Sequence, residues 1–253
     1  MASAVHADCP PELIVSDFGI PQPNRLATSI EHEWWDEEPG RLDKGSRTTG
    51  TFAYAANVGK TSIATVTASY THLTVEGAQA TEKFNNWDDV KLTFRKGLGN
   101  SETVLDWLGV SLFLPTGNSE KNIGTGRWGV GLNLSRVDSV SEKWDLYAGG
   151  EVRYFNDVPP PPGEVGGINY VPSVSVFGGA YQHIGERWSM LYEVEYVHPR
   201  ETHVDDGVRL SIGPGYSFGS KEKGRRVLQV RYRKDIATRG KPQSLTLGLY
   251  QGF

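Results

Sequence analysis

The feature that most limits what this chain can fold into is a strict two-residue alternation, plainest from Leu108 to Ser135. Leu108, Val110, Leu112 and Leu114 fall on one face of the first arm, with Gly109, Ser111 and Phe113 on the other. Trp128, Val130, Leu132 and Leu134 repeat the pattern in the second arm, opposed by Arg127, Gly129, Gly131, Asn133 and Ser135. Successive side chains point to opposite sides in a strand, so each arm is a strand with one oily face and one small or polar face. The stretch between them, 115–126, is polar and rich in Gly, Asn, Lys and Glu, as a loop is.

The alternation recurs along the chain. Further strands are predicted at Leu26–Trp35, Arg47–Val58, Thr61–Leu73, Trp87–Lys96, Lys143–Phe155, Ile168–His183, Arg187–Val197, Gly207–Phe218, Arg225–Asp235 and Gln243–Phe253. Many run to roughly 10–15 residues, where soluble strands usually have about 5–6. Long polar or Pro-rich connections follow the odd strands and short turns follow the even ones. Outer-membrane barrels have short periplasmic turns and long outer loops, and an even strand number puts both termini on the periplasmic side. Aromatic residues gather at strand ends in two girdles. Trp34, Tyr70, Trp87, Trp128, Tyr154, Tyr170 and Tyr196 lie near long loops; Trp144, Trp188, Phe218 and Phe253 lie near short turns. A final Phe253 after Leu245, Leu247 and Leu249 resembles the signal read by the barrel-assembly machinery, with Gln251 departing from it.

The expected fold is therefore all-β: a single 12-stranded antiparallel up-and-down transmembrane β-barrel over residues 25–253. Residues 1–24, with Pro10, Pro11, Pro21 and Pro23, form an extended periplasmic segment that is a candidate plug. Val5-His6-Ala7 fits the tail of a secretory signal. No apolar run of about 18 residues exists to make a spanning helix, which leaves a barrel open because its strands show lipid only half their residues. A formal net charge of −4 gives no support for nucleic-acid binding. The single Cys9 supplies neither an internal disulfide nor a thiolate cluster.

With the oily faces turned to outer-membrane lipid, the other faces line a lumen. They carry Glu31, Glu33, Asp89, Lys91, Arg95, Arg127, Glu151, Arg153, Glu193, Glu195, Arg209, Arg231 and Arg233. An Arg or Lys at the lipid midplane costs about 2–4 kcal/mol, which favours the register that turns these residues inward. Two uses remain open: a salt-bridge lattice that stiffens a filled interior, or a polar eyelet across which a solute is drawn. Twelve strands lie between the filled barrels of about eight and the open ones of about sixteen.

The stretch Leu114-Pro115-Thr116-Gly117, followed by Gly124-Thr125-Gly126, Trp128, Gly129, Gly131 and Leu132, resembles a family of outer-membrane transporters catalogued as "MetA-pathway of phenol degradation". The resemblance implies an outer-membrane barrel passing small, hydrophobic or aromatic compounds, and it carries over no binding residues. Other chemistry is thin. His198, His203, Asp205 and Asp206 have ligand chemistry for a divalent metal, but their spacing is not that of a structural zinc site, and they read as a solvated acidic loop. Gly124-Thr125-Gly126 precedes no helix and is a turn rather than a phosphate cradle. His32 and His183 lie on strands, and no serine has a nucleophile's surroundings, so neither an enzyme nor a cofactor is implied. The expected function is passive passage of a small solute through a Gram-negative outer membrane. The rivals are a filled structural barrel, a membrane-embedded lipid hydrolase, and a soluble β-sandwich or lipocalin-like carrier, which would bury Leu132 and Val230.

Overall fold

The computed structural model describes residues 24–36, 44–59, 61–76, 81–100, 104–117, 126–155, 172–198, 206–219, 226–237 and 241–252. They form β1 (Asn24–Trp35), β2 (Lys44–Asn57), β3 (Ser62–Glu76), β4 (Thr81–Trp87), β5 (Val90–Asn100), β6 (Val104–Leu114), β7 (Gly129–Ser141), β8 (Trp144–Phe155), β9 (Ser173–Ile184), β10 (Trp188–His198), β11 (Gly207–Phe218), β12 (Arg226–Asp235) and β13 (Gln243–Gly252). All pairings are antiparallel, and β1 zips to β13 from Arg25↔Gly252 to Trp34↔Gln243, which closes the ring. Closure matters in hydrocarbon, where no water satisfies an open strand edge. The closed barrel has twelve strands, as the alternation predicts, with one further strand outside it.

The extra strand, β4, corrects the expectation of a long polar connection between the strands predicted to end at Leu73 and to begin at Trp87. β3 is longer than the barrel needs. Its first half, Ser62 to Thr67, pairs with β5, and its second half, Tyr70 to Glu76, pairs with β4. Trp87 therefore ends β4 instead of opening the next barrel strand, and Tyr70 packs edge-on against it with ring centroids 5.4 Å apart. β5 also runs on past the expected turn to Asn100, with a bulge between Gly97 and Gly99. The expected N-terminal segment 1–24 lies outside the described residues except for Asn24; Phe253, Gly124 and Tyr170 also lie outside them.

The faces of the strands are oriented as the alternation requires for lipid. Ile30, Val110, Leu132, Leu134, Val194 and Leu247 are each half-exposed or more on the outer wall. Arg25, Lys91, Arg95, Glu193, Arg231 and Asp235 are buried on the inner one. A soluble sandwich or lipocalin has the opposite arrangement, because a continuous apolar outer surface is rarely left facing water. Trp87, Trp128, Tyr154, Trp188 and Tyr196 stand exposed near strand ends, where girdle residues meet headgroups.

Candidate functional site: the charged inner wall

The inner wall is built around the small face of the β6–β7 hairpin. Phe113, Gly129 and Phe155 lie in register across β6, β7 and β8, and so do Ser111, Gly131 and Arg153. A Cβ on Gly129 would collide with the Phe155 ring, and one on Gly131 would stand 3.0 Å from Glu151 Oε1. The two glycines therefore leave a recess into which longer side chains from the flanking strands lie down. Glu151 fills it. Lys91 Nζ stands 3.0 Å from its Oε1, and Arg153 Nε donates to its Oε2 at 2.6 Å. Ser111 Oγ donates to Oε1 at 3.4 Å. Below this triad, Arg95 Nε donates to Asn133 Oδ1 at 3.3 Å.

The far wall carries a second set. Glu193 accepts from the Tyr147 hydroxyl at 3.0 Å and faces Arg231 Nη1 at 3.8 Å, so it links β8, β10 and β12. Arg209 stands 3.5 Å from Glu195 and 3.6 Å from Asp235. Glu31 accepts from Ser244 Oγ at 2.6 Å, with Arg233 3.7 Å away. Each of these contacts joins strands that are adjacent or two apart, so the charges are tied along the wall. The Arg153 and Arg209 side chains, toward the long loops, keep 35% of their surface, while Glu193 keeps none. Charge is thus reachable from the long-loop end and enclosed at mid-depth. Toward the short turns the inner wall becomes aromatic and aliphatic, with Trp107, Tyr147, Tyr181 and Leu191 buried. There Asp145 Oδ2 lies 2.8 Å from His183 Nε2. Sequence reasoning did not single out Tyr147, Asp145 or Asp235, although each falls on the inner parity of its strand, and it placed Asn133 only on the small face of its arm.

Three of the residues expected to line the lumen lie at or near the long-loop ends of their strands. Glu33 is half-buried near the long-loop end of β1, and Arg127 is half-buried just before β7. Asp89 precedes β5, and its Oδ1 accepts the Gly117 N–H at 2.9 Å and the Gly126 N–H at 3.2 Å. Thr116 Oγ1 accepts from the Val90 N–H at 2.8 Å and donates to the Asp88 carbonyl at 2.8 Å. The Pro115-Thr116-Gly117 turn and Gly126 are therefore fastened to the Asp88-Asp89 corner, and Trp128 stands exposed beside it. Burial pushes the Asp88 carboxyl up, against the opposing Asp89 N–H bond and with help from the Asp89 charge. Losing the Asp89 acceptor strands two loop donors. Asp89→Ala should lower the urea midpoint of the refolded protein by an amount worth about 1–3 kcal/mol. Asp89→Asn, which keeps an acceptor oxygen, should lose less.

Asp206, weighed as a metal ligand, is engaged otherwise: Tyr196 OH donates to its Oδ2 at 2.7 Å, and His198 Nδ1 lies 2.7 Å from its Oδ1. Its partners His203 and Asp205 fall outside the described residues, and no group of three ligating side chains converges among the described ones. The Tyr196 bond first, and the His198 contact second, hold the Asp206 carboxyl below the ordinary Asp range. A lowered folded value means this contact is whole above the ordinary range and lost as pH falls through the lowered one. A carboxyl-carbon NMR titration of Asp206 should accordingly show a depressed midpoint that climbs in Tyr196→Phe.

No protein-family model and no curated protein sequence matches the chain. Solved structures do. The COG4313 outer membrane channel from Pseudomonas putida F1 superposes with a TM-score of 0.73 at 15% identity, over 92% of this chain and 97% of that one. The KdgM porin gives 0.57 at 9% identity, over 90% and 99%. The CymD monoaromatic hydrocarbon channel gives 0.50 at 10% identity, over 92% and 89%. At these identities the likeness is one of fold: this chain has the fold of outer-membrane barrels.

Proposed function

We propose that the protein is a passive channel in a Gram-negative outer membrane that admits small solutes, including hydrophobic or aromatic compounds, without catalysis or cofactor. The observation that carries this reading is the pairing of an apolar outer wall with a charged inner wall in one closed twelve-stranded barrel. Hydrocarbon explains the first wall, and a route for a polar or charged partner explains the second. Support for the solute class comes from the hairpin's resemblance to the phenol-degradation family and from the fold shared with the channels above. In this reading the short turns and both termini face the periplasm, residues 1–24 precede the barrel there, and Phe253 serves its assembly.

The test is single-channel recording in planar bilayers together with uptake of small solutes into liposomes. Steps of steady conductance and solute entry are expected. One observation favours a second reading, the filled barrel. On the inner wall Ser111 and the Glu193 side chain have no exposed surface, and Lys91 keeps only 5%. The filled barrel would pass neither ions nor solutes.

A further inference from the structure

Arg153 is held but not hidden. Its Nε and one terminal nitrogen grip Glu151, its Cζ lies 5.6 Å from the centre of the Phe113 ring, and its side chain keeps 35% of its surface toward the lumen. Lys91 Nζ, buried beneath, sits 5.1 Å from the same ring centre and shares the same carboxylate. Phe155 leans on Phe113 with centroids 5.1 Å apart, made possible by the glycine between them. Arg153 and Lys91 thus share the Glu151 carboxylate on an aromatic shelf made by Phe113 and Phe155.

We infer that this shelf is a specificity site for planar aromatic monocarboxylates. The inference rests on the channel reading and names the solute class for it. A guanidinium offers two recognition surfaces at once. Its edge donors match a carboxylate, and its flat face stacks on an aromatic ring. Held over Phe113, Arg153 presents both to a solute descending from the long-loop end. The carboxylate of such a solute stands in for Glu151 at Arg153, while Lys91 holds Glu151 in place. An aromatic ammonium of the same size meets Lys91 and Arg153 as like charges and is disfavoured. The small face of β6–β7 is what lets the whole assembly lie against the wall and leave the passage beside it.

The full chain, refolded and checked for closure by heat-modifiable gel mobility, is placed in a planar bilayer. Reversal potentials under gradients of potassium benzoate and of benzylammonium chloride then give the permeability ratio of the two ions. Benzoate is expected to be favoured, and Arg153→Gln to reduce that preference on the order of tenfold, the scale of losing one partner of a close charge pair. Arg153→Lys, which keeps the charge and loses the planar fork, is expected to fall between them and serves if the glutamine variant does not close. Equal permeabilities in the parent, or a ratio that neither variant moves, would overturn the site while leaving the channel intact. No current in any electrolyte would overturn the channel reading itself, and the site with it.

Discussion

Leu132→Arg is expected to cost the barrel about 2–4 kcal/mol in lipid, the measured scale for arginine at a bilayer midplane. Leu132 sits on β7 opposite Val110 of β6, both more than half exposed on the outer wall. The new guanidinium would have hydrocarbon before it and the closed sheet behind it, with no lumen to snorkel into. Folding into phosphatidylcholine vesicles, titrated with urea, reads the cost directly, and a loss of that size leaves the variant about 30- to 900-fold less folded at matched denaturant. The same substitution made in a soluble carrier would destroy a core and precipitate the protein from detergent-free buffer. A variant that instead became more soluble in water while keeping its strands would mean the outer wall never met lipid.

The direction of each oily face was readable because a strand has a period of two, and lipid accepts only one of its faces. Val194 on β10 and Leu247 on β13 both follow that rule. β4 escaped because Thr81–Trp87 has polar residues on both sides; a strand outside the closed barrel has no oily face to betray it and is held by β3's backbone. Asp89 shows a different limit. It shares parity with Lys91, yet parity says nothing about where the ladder begins, and two residues before Lys91 its carboxylate ties loop donors. The small face of β6–β7 was legible as small. Its purpose was not, since Lys91 and Glu151 reach each other across two intervening strands, and pairings that skip strands leave no trace in local periodicity. The inner Leu191, Tyr147 and Tyr181 were similarly hidden, because apolar residues on the lumen parity look like noise until several strands place them together.

The choice between lattice and eyelet turns on Glu193, whose side chain is wholly enclosed between the Tyr147 hydroxyl and Arg231. Glu193→Leu is expected to destabilise the barrel by about 3–5 kcal/mol, since removing one partner leaves the other charge in an enclosed site. Glu193→Leu combined with Arg231→Leu should recover most of that loss, because apolar residues commonly replace a complete buried pair at little cost. Urea midpoints of the parent, the two single variants and the double variant form a cycle that isolates the interaction from either truncation. The same four proteins in a bilayer separate the two roles. A purely stiffening pair predicts that the recovered double variant behaves as the parent in every electrical measurement. A pair bordering the ion path predicts the same recovered stability with altered conductance or ion selectivity, because both charges have left the wall of that path. The eyelet requires the second result, and it falls if the double variant is stable and electrically silent as a change.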